Sequence, residues 1–133
     1  MSTHAYIGHR ADDGVIRAVY CHWDGAPEVA GKVLKQHWSD QEKLSSLMSL
    51  GDLSSLGIEL GEKHDFYTAG HGICTFYGRD RGESGVGCEE FLSFEDFLDS
   101  AHSHCAGYAY LFEANEWCGV QVQNGEHVDL NLV

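Results

Sequence analysis

The sequence predicts an α+β fold, in which an antiparallel sheet is built from both ends of the chain and helices pack on one face of it. Three observations lead to this prediction. Apolar and polar residues alternate around a glycine-containing turn near the start, helical periodicity fills the middle, and three strand-like segments follow the last helix. At 133 residues the chain has the length of one domain, and we expect residues 1–133 to form a single globular unit.

The first element is predicted to be a hairpin from about Thr3 to Trp23 that turns at Asp12-Asp13-Gly14. A three-residue loop whose glycine adopts the left-handed conformation is a common way to join two antiparallel strands. A two-residue loop would shift the pairing by one residue and mix the two faces, so the longer loop is preferred. The predicted pairs are Ile7 with Val19, Ala5 with Cys21, Tyr6 with Tyr20 and His4 with His22.

Helical signals follow the hairpin. Pro27 suits the first position of a helix, and Ser39-Asp40-Gln41-Glu42 reads as a capping box for a second helix that ends at Gly51. The segment Asp52–Gly57 is predicted to add one short helical turn. Beyond it, we expect a loop from Gly57 to Gly72, a strand from Ile73 to Tyr77 and a glycine-rich loop from Gly78 to Gly87.

The last helix begins at the N-cap Ser93 and carries one narrow apolar stripe. At 100° per residue, three carboxylates lie on the side opposite to this stripe and face solvent. The stripe consists of Phe94, Phe97, Leu98 and Ala101, and the carboxylates are Glu95, Asp96 and Asp99.

A three-stranded meander is predicted after this helix, with strands at Tyr108–Glu113, Trp117–Gln123 and about Glu126–Leu132. A loop at Gln123-Asn124-Gly125 would pair Val120 with Val128 and so align the apolar faces.

Charge limits the possible partners. The formal net charge is −13, of which −3 falls in residues 1–81 and −10 in residues 82–133, where Lys and Arg are absent. This balance disfavours direct binding to nucleic-acid phosphates and to anionic membranes, and it favours a basic partner. The candidate partner-binding residues are Glu83, Glu89, Glu90, Glu95, Asp96 and Asp99, with Glu113 and Glu116 as a second patch.

A dense set of carboxylates on a rigid surface can occupy the basic groove that a nucleic-acid-binding protein offers to DNA or RNA. Association would then be steered by electrostatics and weakened by salt. The simpler alternative is an interaction module whose acidity serves only solubility.

Catalytic signatures are weak. The sequence contains no nucleophile elbow, HExxH helix, phosphate-binding loop or dinucleotide fingerprint. The clusters His71-Gly72-Ile73-Cys74 and His102-Ser103-His104-Cys105 do not match a zinc-finger, ribbon or knuckle spacing. We therefore expect no catalytic residue, no metal and no cofactor. The rival hypothesis is a small metal-dependent or cysteine/histidine enzyme that uses Cys21-His22-Trp23-Asp24-Gly25, although Cys21 itself is predicted to be a core thiol.

The five cysteines form no CxxC pair, which is typical of proteins in a reducing compartment. The sequence has neither a signal-peptide pattern at its start nor an apolar run long enough to cross a membrane. We expect a cytoplasmic protein.

Three motifs occur together: Val19–Gly25 (VYCHWDG), Gly51–Gly57 (GDLSSLG) and Tyr77–Glu83 (YGRDRGE). Together with the region from Tyr110 to Trp117, this set resembles a family of small, largely uncharacterised proteins encoded by phages, prophages and other mobile elements. The resemblance implies no catalytic assignment. It implies a context, because small acidic phage proteins are often inhibitors of host defence, similar to anti-CRISPR or anti-restriction proteins that imitate DNA. The expected partner is therefore a basic nucleic-acid-binding surface of a bacterial defence protein.

Overall fold

The computed structural model describes residues 3–68 and 72–132. Within these ranges the strands are β1 (Ala5–Arg10), β2 (Ile16–Cys21), β3 (Leu53–Ser55), β4 (Thr75–Phe76), β5 (Glu89–Phe91), β6 (Tyr108–Glu113), β7 (Glu116–Gln121) and β8 (His127–Val128). The helices are α1 (Lys32–His37), α2 (Gln41–Leu50), α3 (Tyr77–Arg81) and α4 (Phe94–Ser103). A π-helical turn at Pro27–Gly31 precedes α1, and a 3₁₀ turn lies at Leu130–Leu132.

All eight strands belong to one sheet of order β4-β3-β2-β1-β6-β7-β8, and β5 pairs with β2 beside β3. The predicted N-terminal hairpin is confirmed, and three of its four predicted pairs are in the register, which ends one residue before His4 and His22. Ala5 lies opposite Cys21 and Ile7 opposite Val19, and Gly14 has a φ of 82° in the three-residue loop. The α+β prediction and the joining of both chain ends in one sheet are therefore correct.

The sheet is mixed rather than purely antiparallel. β1 pairs with β6 in parallel, with Ala5 opposite Tyr108, and β2 pairs with β3 in parallel. The parallel pairing of β1 with β6 follows from the crossover through α4. β5 is antiparallel to β2 and so runs in the direction of β1, and a helical connection returns the chain to the sheet in that same direction.

Helices cover both faces of the sheet, so the expectation of helices on one face is wrong. On one face α1 and α2 pack with Ile7 and Val19. On the other face Phe97 and Ala101 of α4 pack with Tyr6. The central strand β1 is buried on both sides over residues 5–8, because these consecutive residues are apolar or aromatic, a pattern typical of strands that lie between two layers.

Two segments differ from their predicted conformation. Leu53–Ser55, expected to be helical, is a strand, because Leu53 lies fully buried between Cys21 and Phe76. Tyr77, expected to end a strand, and residues 78–81, expected to begin a loop, form the short helix α3, which ends at Gly82 in the left-handed conformation.

The remaining differences lie in element boundaries and register. The third strand of the meander, expected at about Glu126–Leu132, is limited to His127–Val128, and Leu130–Leu132 forms a 3₁₀ turn. The N-cap of α2 is Asp40 rather than Ser39, and its side chain accepts a hydrogen bond from the backbone N–H of Glu42. In the meander Val128 pairs with Gly119 rather than Val120. The loop between β7 and β8 is longer than predicted, because the Gln121 N–H donates to the carbonyl of Glu126.

Candidate functional site

Three connections meet at one end of the sheet. β1 ends at Arg10 and β2 begins at Ile16, so their turn lies at this end. β6 is parallel to β1, which places the β6–β7 turn there as well. Phe91, the last residue of β5, lies opposite Ile16 and brings the start of α4 to the same end.

The direction of α4 follows from its contacts with β1. A Cβ at Gly8 would lie only 2.7 Å from the ring of Phe97, and the ring of His104 stacks on Tyr6 with centroids 5.1 Å apart. The helix therefore runs away from the turns, and its N-terminus, with Glu95 and Asp96 exposed, remains beside them.

We call this region the acidic end. It gathers seven carboxylates from segments that are far apart in the sequence. They belong to Asp12, Asp13, Glu90, Glu95, Asp96, Glu113 and Glu116.

Five of the eight predicted partner-binding residues belong to the acidic end. Asp99 is exposed one turn further along α4. Glu89 lies next to Glu90 on β5, whereas Glu83 lies after α3, near the β4 edge of the sheet. The structure thus joins the two patches that the sequence separated, and it leaves Glu83 outside the joined set.

Two arginines reduce the charge of the acidic end. Arg10 lies 2.8 Å from Glu113, and Arg17 lies 3.1 Å from Glu90 and 3.0 Å from Asp13. Residues 82–133 contain no Lys or Arg. Arg10 and Arg17 nevertheless reach the carboxylates of this segment across strand pairs. The carboxylates of Glu95, Asp96 and Asp99 form no ion pair within the described residues.

Glu89 is engaged in a polar network rather than being fully available to a partner. Its carboxylate lies 3.3 Å from Nε2 of His104 and accepts a hydrogen bond from the Tyr6 hydroxyl at 3.4 Å. Tyr6 also contacts the hydroxyl of Ser100 at 3.0 Å. Burial of Tyr6 raises the pKa of its hydroxyl, with the neighbouring Glu89 and Asp52 adding to the effect, so Tyr6 acts as a neutral donor.

Asp12, Asp13 and Leu92 were not among the predicted site residues. The hairpin register, with both turn carboxylates at its tip, could have indicated the first two. Leu92 joins β5 to α4 with 80% of its surface exposed, and it provides an apolar contact among carboxylates.

Two of the three motifs form structural contacts. Asp52 of GDLSSLG accepts a hydrogen bond from the Tyr20 N–H at 2.9 Å. In YGRDRGE, Arg79 pairs with Asp80 at 3.0 Å and Arg81 pairs with Glu83, so both arginines form ion pairs within the motif.

The VYCHWDG motif divides between core and surface. Cys21 is fully buried, and burial raises the pKa of its thiol to about 12, with Cys74 adding to the effect. This confirms a core thiol and gives no support to Cys21 as a nucleophile, since the thiolate is the reactive form. His22 is half-buried and Trp23 is exposed.

The described residues of the histidine and cysteine clusters do not form a multidentate centre. Across residues 3–68 and 72–132, no group of three or more His, Cys, Asp and Glu side chains is placed to hold a metal ion. His71 of the first cluster lies outside the described residues. Cys74 of that cluster is buried, and its sulfur accepts a hydrogen bond from the Gly57 N–H.

In the part of the chain that the structure describes, the helices are too short or too polar to span a bilayer. Comparisons of the chain with protein-family models, with curated proteins and with solved structures find no match. Function is therefore inferred from the geometry of the chain and from its motifs.

Proposed function

We propose that this protein is an inhibitor encoded by a phage or mobile element. Its acidic end, together with Glu89 on β5 and Asp99 on α4, imitates nucleic-acid phosphates and blocks the basic DNA- or RNA-binding channel of a bacterial defence protein such as a CRISPR effector. Catalysis is not part of the proposed role. The proposal places its action in the cytoplasm of the bacterial host.

One observation carries the proposal: three connections distant in the sequence bring their carboxylates to the same end of the sheet. The segments 10–17, 89–99 and 112–117 contain nine carboxylates and two arginines. The elements that hold them are rigid, because Phe97 is fully buried beneath α4 and β1 is buried on both faces. A rigid array of one sign loses little conformational entropy on meeting a basic groove.

The second support is the chemistry of the exposed helix face. The residues Glu95, Asp96 and Asp99 are exposed on the side of α4 opposite Phe97 and Ala101. Each surface charge contributes only about 0–1 kcal/mol, so affinity must come from many such contacts together. The motif resemblance supplies the phage and host-defence context.

A displacement assay tests the proposal. Purified CRISPR effector nucleases and restriction enzymes are each loaded with fluorescently labelled DNA, and the protein is titrated in while anisotropy is recorded at rising salt. We expect at least one of them to release its DNA, with an apparent affinity that falls steeply between 50 and 200 mM salt, about tenfold or more.

The matched variants carry the same change in net charge at different places. Glu95→Lys/Asp96→Lys/Asp99→Lys reverses the helix face, and Glu28→Lys/Glu62→Lys/Glu126→Lys reverses three exposed carboxylates elsewhere. We expect the first triple variant to lose displacement and the second to retain most of it. Equal retention by both would contradict the proposal and favour a module whose acidity serves only solubility.

A further inference from the structure

His4 and His22 face each other across the β1–β2 hairpin. They lie one residue beyond the last pair of the β1–β2 register, Ala5 opposite Cys21. The backbone N–H of His22 donates to Leu53 rather than toward His4. The two rings are stacked, with centroids 4.6 Å apart and planes inclined by 28°. We call these two residues the histidine pair.

One ring nitrogen of each histidine is already held by the chain. Nδ1 of His4 lies 2.6 Å from the backbone carbonyl oxygen of His22. A carbonyl only accepts, so Nδ1 carries a proton, and the Nε2 atom of His4 is the nitrogen left to bind a metal ion. Nδ1 of His22 lies 2.9 Å from the hydroxyl of Tyr20. When it donates to that hydroxyl, Nε2 of His22 presents a lone pair as well.

This arrangement is typical of histidines that bind metal ions. The ring nitrogen that does not bind the metal donates to a carbonyl or another oxygen, which fixes the tautomer and the ring orientation.

We propose that the histidine pair binds one divalent transition-metal ion through its two Nε2 atoms, and that Cu(II) binds most tightly. Imidazole nitrogen suits Cu(II), Ni(II) and Zn(II), and among divalent ions of this row Cu(II) forms the most stable complexes. The ring centroids lie 4.6 Å apart, close enough for the two imidazoles to share one ion. Water completes the coordination, because no third His, Cys, Asp or Glu ligand joins the pair within the described residues.

Trp23 provides a local optical probe. Its ring lies edge-on to His22, with centroids 4.8 Å apart, and 49% of its surface is exposed. Bound Cu(II) would quench the fluorescence of Trp23. We expect CuCl₂ titrated into the full chain to quench tryptophan emission to a plateau at one equivalent.

The variants separate the pair from other histidines. His4→Gln and His22→Gln are each expected to weaken Cu(II) affinity by at least about tenfold, whereas His102→Gln, at an exposed position on α4, is expected to leave it unchanged. In Trp23→Phe, calorimetry should still report one bound ion while most of the quenching is lost. Circular dichroism of each variant confirms that it is folded.

Electron paramagnetic resonance of the wild-type protein with one equivalent of Cu(II) keeps the test independent of any substitution. Two coordinated imidazole nitrogens are expected in the hyperfine pattern. One imidazole or none would overturn the proposal, as would loss of binding in only one of the two pair variants or an equal loss in His102→Gln. The acidic end has no part in this site, so either proposal can fail alone.

Discussion

The Asp80 carboxylate lies 3.0 Å from the guanidinium of its chain neighbour Arg79, and the Asp80 side chain is fully buried. It also accepts hydrogen bonds from the backbone N–H groups of Phe76, at 2.8 Å, and His64, at 3.1 Å. Arg79 in turn donates to the carbonyl of Leu60 at 2.9 Å. This pair therefore fastens the long loop before β4 to the start of α3.

Replacement of Asp80 should destabilise the fold strongly. Asp80→Asn leaves Arg79 without its carboxylate and removes an acceptor from the backbone groups that Asp80 binds. Breaking a buried pair from one side costs about 3–5 kcal/mol. Glu83→Gln, which removes the partner of the more exposed Arg81, should cost about 1 kcal/mol or less. Urea unfolding measures the free energy of unfolding of both variants. Equal losses would show that burial of the Asp80–Arg79 pair adds nothing to its contribution to stability.

Low pH should remove the contribution of the Asp80 carboxylate to the free energy of unfolding. Burial alone would raise its pKa, but Arg79 and the two backbone donors outweigh burial and lower the pKa below its ordinary value of 3.8. A lowered pKa stabilises the folded state above pH 3.8, and this stabilisation is lost as the pH falls through the folded-state pKa. The difference in unfolding free energy between wild type and Asp80→Asn should therefore narrow below pH 3.8. If this difference in unfolding free energy did not change with pH, the lowered pKa of Asp80 would be contradicted.

Two glycines with positive φ should respond differently to alanine. Gly14 has a φ of 82° and open space where an alanine Cβ would lie, so Gly14→Ala should cost about 1–2 kcal/mol from backbone strain alone. At Gly51 the φ is 84° and a Cβ would lie 2.3 Å from the carbonyl oxygen of Val86. Gly51→Ala should cost clearly more, because backbone must move as well. Urea unfolding of both variants measures these costs. A larger loss of unfolding free energy in Gly14→Ala than in Gly51→Ala would contradict the prediction.

Thiol labelling should separate the cysteines by burial. Cys21 and Cys74 are fully buried, and burial raises their pKa values to about 12 and about 11. Cys105 is exposed. With iodoacetamide at about pH 8, mass spectrometry should find Cys105 modified in the native protein and the other two only after unfolding. Rapid native modification of Cys21 would revive the cysteine-enzyme hypothesis.

The hairpin could be predicted to the residue because two independent signals agree. The turn Asp12-Asp13-Gly14 fixes the loop length, and the apolar alternation accepts only one register. β3 could not be predicted in the same way. Three residues carry no periodicity, and Leu53 is a strand residue only because Cys21 and Phe76 lie on either side of it.

Only part of the candidate site could be predicted, because local sequence signals indicate some of its residues and long-range strand pairing positions the others. Ser93 and the apolar stripe of α4 are local signals, so the exposure of Glu95, Asp96 and Asp99 follows from the sequence. The ion pair between Arg17 and Glu90 depends on the pairing of β2 with β5, and these two residues lie 73 positions apart. Contacts across such distances are set by the whole fold, and local pattern does not encode them.

The position of β1 has a consequence for synthesis of the protein. β1 leaves the ribosome long before one of its two neighbours, β6, which begins at Tyr108. One edge of the central strand therefore stays open until β6 has emerged. The nascent chain must keep the apolar residues of β1 from pairing with other polypeptides during this interval. Chaperone demand and slow folding should accordingly be greatest for chains that stop short of β6.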